Sequence, residues 1–185
     1  MEHIIKILLI FTVLSCKAQS PVISTVDLKN DDDNNIDLVD GCYLKDVENK
    51  FNPFLGTWIW QDGSASLEIQ FEKIEAVFND DYYSDMLIGK YKFVDSNGIE
   101  KHNSLNVNLN SLNVWGYSYY LIMGSGYYTD TTFQFNFTDM QKNKECHLKF
   151  ELISPNQATW KIRRYDGHRQ PDGFTFPTEL TLTKQ

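Results

Sequence analysis

Phe133-Gln134-Phe135-Asn136-Phe137-Thr138 alternates aromatic and polar side chains without a break. Successive side chains of a strand point to opposite faces, so the three rings share one face and the polar residues the other. The same period recurs outward from this stretch. It is read in Ala65-Ser66-Leu67-Glu68-Ile69-Gln70-Phe71-Glu72, in Leu105-Asn106-Val107-Asn108-Leu109-Asn110 and in Leu148-Lys149-Phe150-Glu151-Leu152. Ala158-Thr159-Trp160-Lys161-Ile162-Arg163 and Leu180-Thr181-Leu182-Thr183 complete the set. Each run fits a half-buried antiparallel strand with one face in the core and one in water. Turn-forming clusters stand between them, among them Gln61-Asp62-Gly63, Asp95-Ser96-Asn97-Gly98 and Tyr165-Asp166-Gly167.

The pattern predicts strands near 54–61, 64–73, 75–79, 84–95, 99–109, 112–123, 127–138, 145–154, 158–165 and 177–184, some neighbours merging. No helical stripe runs through 50–185. Short connections make an up-and-down antiparallel meander of about 8–10 strands. Such a sheet has an apolar face to hide, so it closes as a barrel or stacks as a β-sandwich. An all-β barrel is the expectation, with the sandwich as its alternative. Phe133, Phe135, Phe137, Phe150, Trp160 and Leu67 are expected to point inward.

The N-terminus carries different information. Residues 1–15 read as a signal peptide: a charged start, the apolar run Ile7 to Leu14, then Ser15. The run is too short to cross a bilayer as a helix. Val13-Leu14-Ser15-Cys16 resembles a bacterial lipobox, which implies that Cys16 carries a thioether-linked lipid and becomes the new N-terminus. Residues 16–48 then read as a flexible acidic tether, because Asn30-Asp31-Asp32-Asp33-Asn34-Asn35 has no apolar period and a dense negative run. Residues 49–185 form the single β-barrel domain. With Cys16 lipidated, Cys42 and Cys146 remain. A disulfide between them would close a loop of about a hundred residues, worth ~4 kcal/mol in the chain-entropy model; two separate buried thiols fit the sequence as well.

Phe54-Leu55-Gly56-Thr57-Trp58 sets Gly-x-Trp at the head of the meander and resembles the opening strand of the lipocalin and fatty-acid-binding barrels. The resemblance implies a lipocalin-like (calycin-type) barrel in which Gly56 bends the chain and Trp58 plugs the closed end. Those families stack an Arg of the last strand across the Trp; here the last strand offers Lys184, and Arg163 and Arg164 lie one strand earlier. Tyr128-Thr129-Asp130 departs from the second lipocalin motif. A broader resemblance runs through Cys16-Lys17-Ala18-Gln19-Ser20-Pro21, Gly89-Lys90-Tyr91-Lys92-Phe93 and Pro177-Thr178-Glu179-Leu180-Thr181-Leu182-Thr183-Lys184. It is to the small uncharacterised lipoproteins of Bacteroidetes, and implies a lipid-anchored β domain without an assigned activity.

Chemistry is sparse. The net charge of −8 gives no basic stripe for nucleic acid. His102, His147 and His168 sit in separate segments, without the spacing of a metal site, so neither metal nor cofactor is expected. No Gly-x-Ser-x-Gly elbow or phosphate-cradling loop is present. Lys161, Arg163, Arg164, His168 and Arg169 concentrate positive charge in an acidic chain; the last four make a candidate anion or ligand site, or a solvated face. Trp115 to Tyr120 is richer in aromatics than a core requires and suits a sugar- or peptide-contacting rim, or cross-strand pairs in a hairpin.

The sequence therefore describes a non-enzymatic lipocalin-like binding or interaction domain in the cell envelope, held on the outer membrane by its lipid. Its partners would be a small apolar or anionic ligand or an envelope protein. The alternative is a structural, envelope-interaction lipoprotein with a filled core and no ligand; a hydrolase comes third. Interior volume separates the first two, since an eight-stranded barrel is just wide enough for side chains to fill.

Overall fold

The computed structural model describes residues 21–30, 38–124, 129–164 and 173–185. In chain order they form β1 (Val22–Ser24), α1 (Thr25–Asn30), β2 (Tyr43–Lys45), β3 (Gly56–Asp62), β4 (Ala65–Asn79) and β5 (Tyr82–Val94). There follow β6 (Glu100–Asn103), β7 (Ile122–Gly124), β8 (Thr132–Asp139), β9 (Lys144–Ser154), β10 (Gln157–Arg164) and β11 (Glu179–Lys184). Eight strands run in the order β5-β4-β3-β11-β10-β9-β8-β7, and β7 returns to β5 through Leu87↔Gly124, Ile88↔Met123 and Gly89↔Ile122. That pairing closes an antiparallel barrel and removes the sandwich.

The alternation does what its period requires. Leu67, Ile69 and Phe71 of β4, Phe133, Phe135 and Phe137 of β8, and Trp160 of β10 all lie inside, none more than 2% exposed. Edge-on and stacked rings pack inside the lumen: Trp58 meets Phe150 at 5.2 Å, Phe150 meets Phe71 at 5.1 Å, and Phe71 meets Phe135 at 5.0 Å. Gly124 makes room for this packing, since a Cβ there would stand 2.5 Å from the Phe133 ring.

Strand β5 is long enough for one edge to serve three partners. It takes β2 at Tyr83 and Ser84, β7 at Leu87–Gly89 and β6 at Lys92–Val94. Ser84 to Gly89 are buried on both faces, because a short 3-10 turn (Val114–Tyr120) covers the outside. There Ile74, Val77, Met86, Ile88, Val114, Leu121 and Met123 form a second, smaller core.

Three expectations change, and the open question of the two cysteines is decided. The strand expected near 112–123 is a 3-10 turn over Val114–Tyr120 followed by a strand at Ile122–Gly124. Leu105 to Asn110 is not a strand. Asn side chains capture its backbone: Leu105 N–H donates to Asn103 Oδ1 at 3.2 Å, and Leu112 N–H to Asn110 Oδ1 at 2.9 Å. These are local turn bonds that compete with a ladder.

Residues 16–48 are not a bare tether where they are described. β1 pairs in parallel with β2, and β2 in parallel with β5. Asp85, fully buried, holds β2 in place: it accepts from Tyr43 Oη at 2.5 Å, Asp46 N at 3.0 Å and Ala76 N at 3.3 Å. Asp46 in turn accepts from Lys50 N at 2.6 Å and Phe51 N at 3.2 Å. The Asp31–Asp33 run and Cys16 lie outside the described residues.

The disulfide is not formed. Cys42 and Cys146 are separate buried thiols. Cys146 belongs to the main core opposite Phe137 and donates to its carbonyl at 3.3 Å, whereas Cys42 leads into β2 on the outer edge of β5.

Candidate functional site

The barrel offers two ends as sites. At the first, Gly56 bends the chain with φ +105°, a conformation that a side chain would strain. Trp58 follows, fully buried, and its indole N–H donates to Phe54 O at 2.8 Å. Lys184 of β11 lies over the indole ring at 5.2 Å and donates to Pro53 O at 3.0 Å. Its cation thus stands where the lipocalin resemblance places an Arg, a cation–π contact. Burial lowers the Lys184 pKa. Phe51 and Phe54 finish the seal, edge-on to Phe133 at 5.2 and 5.6 Å. Outside it runs an open groove of 880 Å³ lined by Pro53, Leu152, Ile153 and Pro155.

The second end, the mouth, is closed by a coil, residues 173–178. Phe176 enters the lumen against Phe93 at 4.5 Å, Phe137 at 5.1 Å and Tyr91 at 5.8 Å. Two side chains latch the coil. Asp139 Oδ2 accepts from Thr175 N at 2.6 Å, and Lys144 Nζ donates to Gly173 O while lying 5.5 Å over the Phe174 ring. Asp139 and Lys144 are cross-strand partners at the β8–β9 turn, and both are buried. Behind the coil, Tyr91 Oη and Trp160 Nε1 are buried without a hydrogen-bond partner. Burial raises the Tyr91 pKa and pushes the Cys146 thiol up to about 12. Cys146 is therefore a protonated core residue at neutral pH and no nucleophile.

Of the four residues of the basic cluster, the structure describes Arg163 and the backbone of Arg164. Arg163 is exposed on β10; the backbone of Arg164 stands opposite Cys146; His168 and Arg169 lie outside the described residues. Lys161 is paired with Glu179 at 2.8 Å. Among the described residues no group of His, Cys, Asp and Glu side chains is placed to hold a metal ion. No helix among them is long and apolar enough to cross a membrane. The aromatic stretch is a surface feature. Trp115, Tyr117 and Tyr120 are exposed, and Trp115 Nε1 donates to Phe78 O at 2.7 Å beside the Phe78–Tyr83 pair.

A family model matches residues 1–185, the whole chain. The chain belongs to DUF6705, a family of unknown function. No curated protein and no solved structure matches it. In this DUF6705 chain the geometry marks residues that no strand pattern announces. Asp139 and Lys144 look like turn charges, and Phe174-Thr175-Phe176-Pro177 is too short to read as more than the approach to a strand. The available signal was two rings between Gly173 and Pro177, apolar residues where a connection needs none.

Proposed function

We propose that this protein is a lipid-anchored, non-enzymatic interaction protein of the bacterial envelope, working through its outer surface rather than through a fatty-acid-sized cavity. The filled lumen carries this reading. Between Trp58 and Phe176 the barrel axis is occupied by ring-on-ring contacts, which leaves no room for an acyl chain. The Phe78–Tyr83–Trp115 face is the surface that supports contact with an envelope partner, being aromatic, exposed and pinned by a hydrogen bond. The Val13-Leu14-Ser15-Cys16 lipobox and the resemblance to lipoproteins of Bacteroidetes support the anchor.

The position of β1 sharpens it. Five residues lie between Cys16 and Val22, a reach of at most about 20 Å. A lipid on Cys16 would hold the β1–β2 edge close to the membrane, where a free tether to residue 48 would let the barrel roam. Metabolic labelling with a clickable fatty acid tests the anchor: Cys16→Ala abolishes the label, and undiminished label overturns the lipoprotein reading. Calorimetry against palmitate tests the lumen, with no binding expected; a saturable isotherm overturns the filled-barrel reading.

A further inference from the structure

We infer that the mouth is a plugged binding pocket for a small neutral aromatic molecule bearing a hydrogen-bond acceptor, with Phe176 occupying the place of the ligand's ring. The inference goes beyond the proposed function and does not depend on the anchor. It starts from two of the three buried side-chain polar atoms that lack partners among the described residues, Tyr91 Oη and Trp160 Nε1; the third, Thr25 Oγ1, lies just after β1. A buried donor left unsatisfied costs about 1–3 kcal/mol, and native structures keep few of them. The rings of Tyr91 and Trp160 share a neighbour: both pack on Phe137, at 5.5 and 5.3 Å. Phe176 packs on the same Phe137 and on Tyr91.

Phe176 is the removable part of this packing. Among the described residues, the rings that Phe176 touches, Tyr91, Phe93 and Phe137, all come from strands held by their ladders. Phe176 comes from a coil, tied by Asp139 to Thr175 N and by Lys144 to Gly173 O. Beyond these latches, Ile162 N–H donates to Thr178 O at 2.8 Å and fixes the far end of the coil. Among the described residues Asp139 and Lys144 are the side-chain latches on the start of the coil, and their release would loosen Phe176 without breaking a strand. Beside the coil an open groove of 640 Å³, lined by Trp60, Phe93, Phe174 and Leu180 among others, gives an approach from solvent.

The chemistry of the site selects the ligand. The space vacated by a phenyl ring between Phe93, Phe137 and Tyr91 suits another flat ring. An indole N–H only donates, so the ligand must bring an acceptor to Trp160, while the Tyr91 hydroxyl serves as donor or acceptor. Of the groove's acids, Asp95 and Glu179 are paired with Lys101 and Lys161, which leaves Asp62 to disfavour an anion, and a cation would lose its hydration inside the mouth. A neutral aromatic carbonyl compound meets all three conditions.

Benzamide is the probe, titrated into the ¹⁵N-labelled full-length protein carrying Cys16→Ser, with benzoate and toluene as comparison ligands. The indole N–H signals of the four tryptophans report separately once Trp160→Phe has assigned its own. Benzamide is expected to move the Trp160 signal saturably and leave Trp58 in place. Asp139→Asn, or Lys144→Gln if the first variant does not fold, should tighten binding about tenfold, the effect of removing about 1.4 kcal/mol of latch. Tyr91→Phe should weaken it. An unmoved Trp160 signal in the wild-type and unlatched proteins overturns the inference. So does toluene binding as tightly as benzamide, which would make the mouth a plain apolar void.

Discussion

At one end of the barrel Trp58 is fully buried and its indole N–H donates to Phe54 O; at the other, Trp160 is as deeply buried and its indole N–H has no partner. The difference follows from how each end is assembled. Phe54 lies four residues before Trp58, so the indole N–H is satisfied within one turn, and Lys184 and Phe150 then cover the ring from strands fixed in the sheet. The mouth is closed by contacts from far along the chain: Asp139 to Thr175 spans 36 residues and Lys144 to Gly173 spans 29. A seal built from a local turn and from paired strands is held by their ladders. A seal made by a distant coil can be released while the barrel stays whole.

The largest expected effect comes from the closed end. Trp58→Ala should cost about 3–5 kcal/mol, because it empties a site hemmed in by strands and strips Lys184 and Phe150 of their partner. Phe176→Ala should cost less, about 2–3 kcal/mol, since the coil can settle into the space; the penalty for truncation depends on how far a site collapses. Urea melts of the two variants give the comparison. Equal losses would mean that the coil is as fixed as a strand.

The same contrast shows what could be read in the chain. Strands with rings on one face were legible because burial on a pleated sheet imposes a period of two, and Phe133, Phe135 and Phe137 obey it. Trp58 was legible through Gly56-Thr57-Trp58, although Lys184 rather than an Arg supplies the cation. The alternation at Leu105–Asn110 misled for a physical reason: alternate residues do differ in exposure there, but asparagines hold the backbone in turns, and period alone does not supply a partner strand. The acids of 38–48 misled in the opposite sense. Asp46 reads as a solvated charge and is buried, because backbone N–H groups of Lys50 and Phe51 satisfy it. Such acceptance depends on where a distant loop arrives. The mouth was illegible on the same ground, since nothing near Tyr91 or Trp160 in sequence announces that Phe176 will cover them.

A middling effect, and of opposite sign, is expected from removing the unpartnered hydroxyl. Tyr91→Phe deletes a buried group that makes no hydrogen bond, so stability should hold or rise by up to about 1 kcal/mol. Trp58→Phe, which deletes a satisfied donor and orphans Phe54 O, should lose stability. Denaturation midpoints at equal slope decide it. A clear loss for Tyr91→Phe would show that the hydroxyl already has a partner and that the mouth is as complete as the closed end.

The smallest effect concerns His102, which stacks on Tyr91 at 4.1 Å and donates from Nε2 to Tyr120 O at 3.1 Å. Burial lowers its pKa, and the Tyr120 carbonyl and Glu100 offset only part of that. The unfolded chain therefore takes up a proton at a pH where the folded ring is still neutral. Below about pH 6.5 the unfolded state binds more protons, and stability falls as the pH drops toward the folded pKa. Asp95, whose carboxyl is held below its usual range by the Ile99 N–H, loses its contribution only below about pH 4, which leaves pH 5–7 to the histidine. Melting midpoints across that window should decline in the wild-type protein and decline less in His102→Asn. Because His102 backs the ring that Phe176 covers, the same protonation should loosen the mouth and leave the Trp58 indole signal unchanged. A Trp58 signal that shifts together with that of Trp160 between pH 7 and 5 would mean that the two ends respond as one body.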